Sequence, residues 1–338
     1  MELSAAADEL RIGFFVTSYR SPCQVFRLAR TLRRAEPDSP IVIHHDTFRS
    51  TLDPSLFDTL SNVHVLTSDK PIRWGDLSLD IARWRAFRWI LMNFDVDWIV
   101  LLSEQDYPIT SMQNLRNRLV QSGVDAFIEG RRIGDIEDEK TRRYFESRYL
   151  YQYVCLPSLN LERRLPRRWQ QFTAQIRRGM FFCVNHSQRL VFIAMGPPEL
   201  KLRSWIGLRT RRSPFSTEFP CWHHDSWYAL SRKSMEHVID YLDAHPDVIR
   251  YYSRTVIPVE SVTGTIVFND PDLEVANVAL HEIRWTNPDS GHPDVFRLED
   301  LDVLRSSNAI FARKFDYENN DILDELDKVI FPGSDCVP

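Results

Sequence analysis

The chain has 338 residues, of which 43% are hydrophobic and 26% charged, and its formal net charge is −5. That length and apolar content support one large sheet-centred unit, and the negative balance excludes a long-range electrostatic case for nucleic acid. The basic clusters Arg131-Arg132, Arg163-Arg164, Arg167-Arg168 and 209–212 alternate with acidic stretches and read mainly as solvated loops.

Five cysteines, Cys23, Cys155, Cys183, Cys221 and Cys336, are odd in number and lack CxxC spacing. They signal neither a disulfide framework nor a zinc cluster and fit a reducing compartment. Residues 1–10 lack the basic start and apolar run of a secretory signal, and no run of about 18 apolar residues follows. The expectation is a cytoplasmic chain without a transmembrane segment, or one peripheral to the inner face of a membrane.

In chain order, 12–16 is a compact buried strand, and Ser21-Pro22 then gives a cap and a first-turn proline for a helix over Val25, Phe26, Leu28, Ala29 and Leu32. Residues 41–45 and 63–66 are further strands. A helix carrying Ile81, Ala82, Trp84, Phe87, Ile90 and Leu91 follows. The strand at 98–102 is the most apolar and ends abruptly in Ser103-Glu104-Gln105-Asp106. Alternation of strands and helices predicts an α/β fold with a mostly parallel sheet, whose ligands sit at strand carboxyl ends, so this ending marks a site edge. The arginine- and proline-rich middle, 129–217, reads as long insertions and helices around an acceptor cleft. Order returns with a strand at 227–230, a helix over Val238, Ile239, Tyr241 and Leu242, strands at 266–268 and 280–285, and a helix over Ile322, Leu323, Leu326, Val329 and Ile330. One unit over 1–338 is expected, with a nucleotide-binding half at about 11–128 and an acceptor and catalytic half at about 129–331.

Four segments in order, IHHD at 43–46, WIVLLSEQDYPI at 98–109, SWYALSR at 226–232 and FARKFD at 311–316, resemble the core-2/I-branching N-acetylglucosaminyltransferases of glycosyltransferase family 14 and their xylosyltransferase relatives. Pro258-Val259-Glu260 falls where that family has Pro-Asp-Glu, with Val259 in place of the aspartate. The resemblance spans nearly the whole chain, and FARKFD is its strongest part. It implies the nucleotide-sugar-binding GT-A fold and an inverting transfer of N-acetylglucosamine or xylose from a UDP-sugar to a glycan hydroxyl.

Inversion needs a base for the acceptor hydroxyl, and the resemblance implies Glu260. The leaving diphosphate needs positive charge. Asp95-Val96-Asp97 matches an Asp-x-Asp metal motif, but it precedes its strand and reads as a turn. The resemblance implies a metal-free site in which Lys314 and Arg297 hold the diphosphate, with Arg284 as a fallback for the arginine. No metal or cofactor beyond the sugar donor is expected. Asp46 and Asp69, after the second and third strands, are candidates for the donor nucleoside, or else turn caps. His44 and His45 point to opposite faces of a strand and cannot share one ion; the same objection weakens His223-His224-Asp225 as a metal cluster. Glu104, Asp106 and the platform Trp227 are the acceptor candidates. The spacing of Lys140 and Arg143 resembles that of a basic pair in the family, and a solvated helix face is the favoured reading for them. A carbohydrate-binding protein with a degenerate transferase fold, or a transferase with another donor, is the competing function. A glycoside hydrolase would require Glu104 and Glu260 to straddle a bond.

Overall fold

The computed structural model describes residues 7–156, 190–195, 203–286, 292–316 and 320–333. Strand β1 (Ile12–Ser18), buried nearly throughout, leads into α1 (Pro22–Ala35), whose first-turn proline gives up no helical hydrogen bond. β2 (Ile41–His45) and β3 (Val63–Thr67) extend one side of β1 in parallel. Helix α2 (Ser78–Asn93) crosses back, and β4 (Trp98–Ser103), buried at every position, joins the other side of β1.

A short β5 (Asp106–Pro108) and α3 (Met112–Ser122) follow; the helix ends at Gly123, whose φ of 64° is a left-handed position that glycine takes without a Cβ penalty. Next come β6 (Ala126–Arg132), α4 (Glu139–Tyr149), β7 (Tyr151–Leu156), β8 (Leu190–Met195) and β9 (Arg203–Arg209). The last three form a separate antiparallel sheet, in the order β7-β9-β8. The reading of 129–217 as insertions and helices is therefore corrected in its described parts. Apolar residues stand on the exposed face of this sheet too, Val154, Ile206 and Leu208 among them, which hides the alternation that marks a strand. Residues 157–189, with Cys183 and the arginine pairs at 163–168, lie outside the described residues, as does Cys336.

The chain returns through β10 (Trp222–Ser231), α5 (Arg232–Ala244), α6 (Pro246–Tyr252), a 3-10 turn at Pro258–Glu260, α7 (Val262–Phe268) and β11 (Val275–Ala276). Residues 266–268, expected as a strand, are the end of α7. Its residues from Val262 to Val267 are all buried, and a short run buried on all sides has no period that separates helix from strand. Gly264 lets that helix press on β10, since a Cβ there would lie 2.4 Å from the His224 ring. The chain finishes with β12 (His281–Ile283), α8 (Leu301–Ser306), β13 (Phe311–Arg313) and α9 (Asn320–Ile330).

The central sheet has the order β11-β6-β10-β4-β1-β2-β3, parallel except for β10, and it draws strands from both ends of the chain. Successive residues of β1 face opposite cores. Phe14 packs with α1 and α9, and Phe15 packs with α2, α5 and α7. This is the expected α/β architecture, a mostly parallel sheet with helices on both faces. A three-stranded sheet, β12-β13-β5, sets Arg313 opposite both Asp106 and Ile283. Asp95 and Asp97 lie before β4 and bond to Arg11, at the amino end of the strand. No described helix is long and apolar enough to cross a membrane.

Candidate functional site

The abrupt polar ending of β4 borders a cleft. Thr17, Ser18, His44, Ser103 and Glu104 reach it from the carboxyl ends of β1, β2 and β4, where open parallel sheets bind ligands. A register shift in β10 between His224 and Tyr228 places Asp225, Ser226 and Trp227 in the same space. The Pro258–Glu260 turn contributes Val259 and Glu260, the segment before α2 brings Trp74 and Gly75, and Arg83, Trp285 and Arg313 complete the walls. The cavity measures about 360 Å³, a small-molecule size.

Glu260 sits where the resemblance put it, on this cleft. Its Oε2 accepts from Arg148 Nη1 at 2.6 Å. Burial raises its carboxyl above the usual glutamate range, and Arg148 opposes the shift. Just before the turn, Ile257 takes φ 53°, a left-handed conformation costly for a β-branched residue, and its N–H donates to Gly75 O at 2.9 Å. Strain of that kind, tied down by a hydrogen bond, fixes the backbone that carries the carboxylate. Asp225 opens to the cleft yet is enclosed closely enough that desolvation, then Glu129 and Glu260, push it up to about 6.

The cationic wall differs from the expected one. Arg297 stands exposed at the start of a 3-10 turn, its N–H on Asp300 Oδ2 at 2.8 Å, and it is not among the described lining residues. Arg284 is held by Asp300 and by Asp294 at 3.4 Å, also off the cleft. Lys314 is not among the described lining residues, and its ammonium is pushed down by burial and then by Arg20 and Arg313. Its neighbour Arg313 does line the cleft, as do Arg49, Arg73 and Arg83. Arg313 is stacked 3.8 Å over the Trp227 ring and lies 3.6 Å from Asp106. Arg83, 2% exposed, stands 5.8 Å from the same ring, with a 3.5 Å bond to Ser226 O. Arg313 Nε and Nη1 and Arg83 Nε make no hydrogen bond among the described residues. Buried donors without partners are costly, so these two guanidiniums are prepared for an anionic ligand.

The acidic candidates divide. Glu104, 1% exposed, spends Oε2 on the N–H groups of Tyr19, Arg20 and Ser21, each at 3.2 Å, which steadies the start of α1. Its Oε1 makes no hydrogen bond and has Arg20 Nε at 3.8 Å. Asp106 is buried off the cleft, bonded to Ser103 N at 2.7 Å and Ser103 Oγ at 3.0 Å, and it meets the site through Ser103 and Arg313. Asp46 lines the cleft but accepts from Phe48 N at 3.1 Å and Ile72 N at 3.3 Å, as a turn-organising carboxylate does. Trp227 lines the cleft. Asp69 is exposed and paired with Arg85 at 2.7 Å; Lys140 and Arg143 are exposed on α4, with Arg143 on Glu139 at 2.6 Å. None of these three is among the described lining residues. Asp69→Ala and the Lys140→Ala/Arg143→Ala pair are accordingly expected to leave turnover within about threefold of the parent, since exposed pairs carry little energy. A tenfold loss in steady-state kinetics for either would return that residue to the substrate path.

Arg83, Arg313, Arg148 and the half-exposed Trp74 were not singled out from sequence, and Asp225 was weighed only as part of a metal cluster. Arg83 had a signal. The buried face of α2 is Asp80, Arg83, Trp84, Phe87 and Ile90, with Ile81 largely exposed, so two charges ride on an apolar helical stripe.

These features define an α/β protein with a ligand cleft at the carboxyl ends of its parallel strands, walled by a carboxylate, an aromatic platform and buried guanidiniums. The sequence model of the Core-2/I-Branching enzyme family matches residues 12–184, about half of the chain, and the chain belongs to that family. It is 33% identical over 144 residues to the beta-glucuronosyltransferase GlcAT14A of Arabidopsis thaliana, covering 39% of this chain and 31% of that one. To GlcAT14B of the same plant it is 28% identical over 144 residues, covering 39% and 32%. The chain thus spans about a third of the length of the curated relatives it matches. Among solved structures, it is similar to a 4-diphosphocytidyl-2C-methyl-D-erythritol synthase from Anaerococcus prevotii, at TM-score 0.37 and 8% identity, covering 88% of this chain and 97% of that one. It is also similar to glucosyl-3-phosphoglycerate synthase from Mycobacterium tuberculosis, in complex with Mg2+ and uridine diphosphate, at TM-score 0.27 and 16% identity, covering 37% and 45%.

Proposed function

We propose that the chain is an inverting glycosyltransferase that moves a sugar from a UDP-sugar to a glycan hydroxyl, with Glu260 as the base. The observation that carries this reading is that Glu260, Trp227 and Arg313 wall one cleft. A base for the acceptor, a platform for a sugar ring and a cation for the leaving group are what the reaction needs in one place. As the acceptor oxygen attacks the anomeric carbon, its proton passes to Glu260 and the bond to the diphosphate breaks. Arg313 faces the charge that develops on the diphosphate, and Lys314 adds to the field. A carbohydrate-binding protein would need no base.

The donor follows the family resemblance, N-acetylglucosamine or xylose. A second reading, glucuronic acid, is favoured by the donors of Arg83 and Arg313 that have no hydrogen-bond partner among the described residues, which suit a sugar carboxylate, and by the names of the two Arabidopsis relatives. The reaction is proposed to run without a bound metal, and a cytoplasmic location belongs to the same proposal. One experiment tests donor and metal together. Transfer and thermal shift are measured with UDP-N-acetylglucosamine, UDP-xylose and UDP-glucuronic acid, each with EDTA and with added manganese. Turnover of one donor, unchanged by EDTA, is expected. Loss of turnover on chelation with recovery on manganese would overturn the metal-free proposal, and stabilisation without turnover of any donor would favour the binding protein.

A further inference from the structure

Glu260 does not face the cleft alone. Arg148, at the end of α4, gives it a 2.6 Å ion pair and is itself fixed from three sides. Its guanidinium donates to Tyr144 Oη and lies 4.4 Å from the centroid of that ring, and 5.7 Å from that of Phe145. Its carbonyl accepts from Val256 N at 3.1 Å, which ties α4 to the segment leading into the Glu260 turn. Tyr149 Oη donates to Glu260 O at 3.3 Å. Two consecutive residues of α4 thus hold the side chain and the backbone of Glu260.

We propose that Arg148 is the positioning residue of this carboxylate: it pins Oε2, so that Oε1 is the oxygen presented to the acceptor hydroxyl. The proposal rests on the reading of Glu260 as base. Among the described residues Oε1 has no hydrogen-bond partner, whereas Oε2 has Arg148. An arginine here also offsets the desolvation that would otherwise protonate a carboxyl in this wall. The other ionisable groups around the turn are Tyr149 from α4, His223 and Asp225 from β10, and Asp80 and Arg83 on the buried face of α2; α7 contributes none. Of these, Asp225 and Tyr149 are themselves pushed up in part by the Glu260 charge, and Arg148 is the cation bonded to Glu260.

The test follows the carboxyl directly. Full-length protein labelled at glutamate Cδ is titrated by carbon NMR, the signal missing from Glu260→Gln being that of Glu260. In Arg148→Met, which keeps much of the bulk and removes the charge, the Glu260 midpoint is expected to rise by about one pH unit or more, with Arg148→Lys in between. The acid limb of kcat/KM, read with the UDP-sugar that the donor panel identifies, is expected to move with it, so that Arg148→Met recovers at alkaline pH. An unchanged midpoint in Arg148→Met, with kcat/KM lowered by one factor at every pH, would overturn the proposal and leave Arg148 a structural role. A midpoint that moves while the acid limb stays fixed would instead overturn Glu260 as the base. Should Arg148→Met fail to fold, Arg148→Lys decides: a displaced midpoint with reduced kcat supports positioning, and a parental profile overturns it.

Discussion

Glu260→Gln is expected to lower turnover on the order of 10²–10⁴-fold, the range that a positioned general base supplies. The amide keeps the shape of the carboxylate and cannot take the acceptor's proton at neutral pH. Donor affinity is expected to stay within about threefold, because the base acts on the acceptor and chiefly in the transition state. Arg148 loses its ionic partner in this variant, so a melting curve belongs with the kinetics. The parental enzyme is expected to show an acid limb above the ordinary glutamate range, since burial raises Glu260 despite Arg148. A raised folded pKa means that the active, ionised base is lost earlier as the pH falls. Near-parental turnover in a well-folded Glu260→Gln protein would end the assignment and send attention to Asp225, the carboxyl pushed up to about 6 on the same cleft.

The second large effect is expected at Arg313. Arg313→Ala removes the guanidinium stacked 3.8 Å over Trp227, and by analogy with the loss of a preorganised donor it is expected to cost about 10²–10³-fold in turnover. Binding of UDP itself is expected to weaken, which a purely structural role does not require. Stability is expected to fall as well, through Asp106, whose carboxyl burial pulls up and Arg313 holds below the usual range; without the arginine a buried charge is left uncompensated. Arg313→Ala/Asp106→Asn should therefore be more stable than Arg313→Ala while remaining as slow, because neutralising Asp106 mends the fold and not the site. Lys314→Ala is expected to do less than Arg313→Ala, as the lysine is not among the described lining residues. Equal turnover in Arg313→Ala and the parent, with UDP binding intact, would remove the cation from the mechanism.

The parallel part of the fold was legible because its strands are short, apolar and bounded by turns, as 12–16 and 98–102 are, and because Ser21-Pro22 is a helix start. Residues 266–268 misled for the opposite reason: α7 is buried all round and carries no period. Pro258-Val259-Glu260, read by resemblance, singled out a glutamate that the fold sets on the cleft. Which neighbour of a motif faces the ligand was not readable. Lys314 and Arg313 are adjacent in sequence, and only the pairing of β13 with β5, with Asp106 across from Arg313, puts the arginine among the cleft's lining residues and not the lysine.

By itself, then, the sequence determined the α/β layering and the residues from which the chemistry is drawn, because periodicity and local turn chemistry act over a few residues at a time. The tertiary structure decided which charges are free to act. Glu104 became a cap for α1, Asp106 an anchor for Arg313, and Arg148, 112 positions from Glu260, its partner. Those assignments depend on contacts between residues far apart in the chain, where burial and the nearest opposite charge, and not residue type, set what a side chain does.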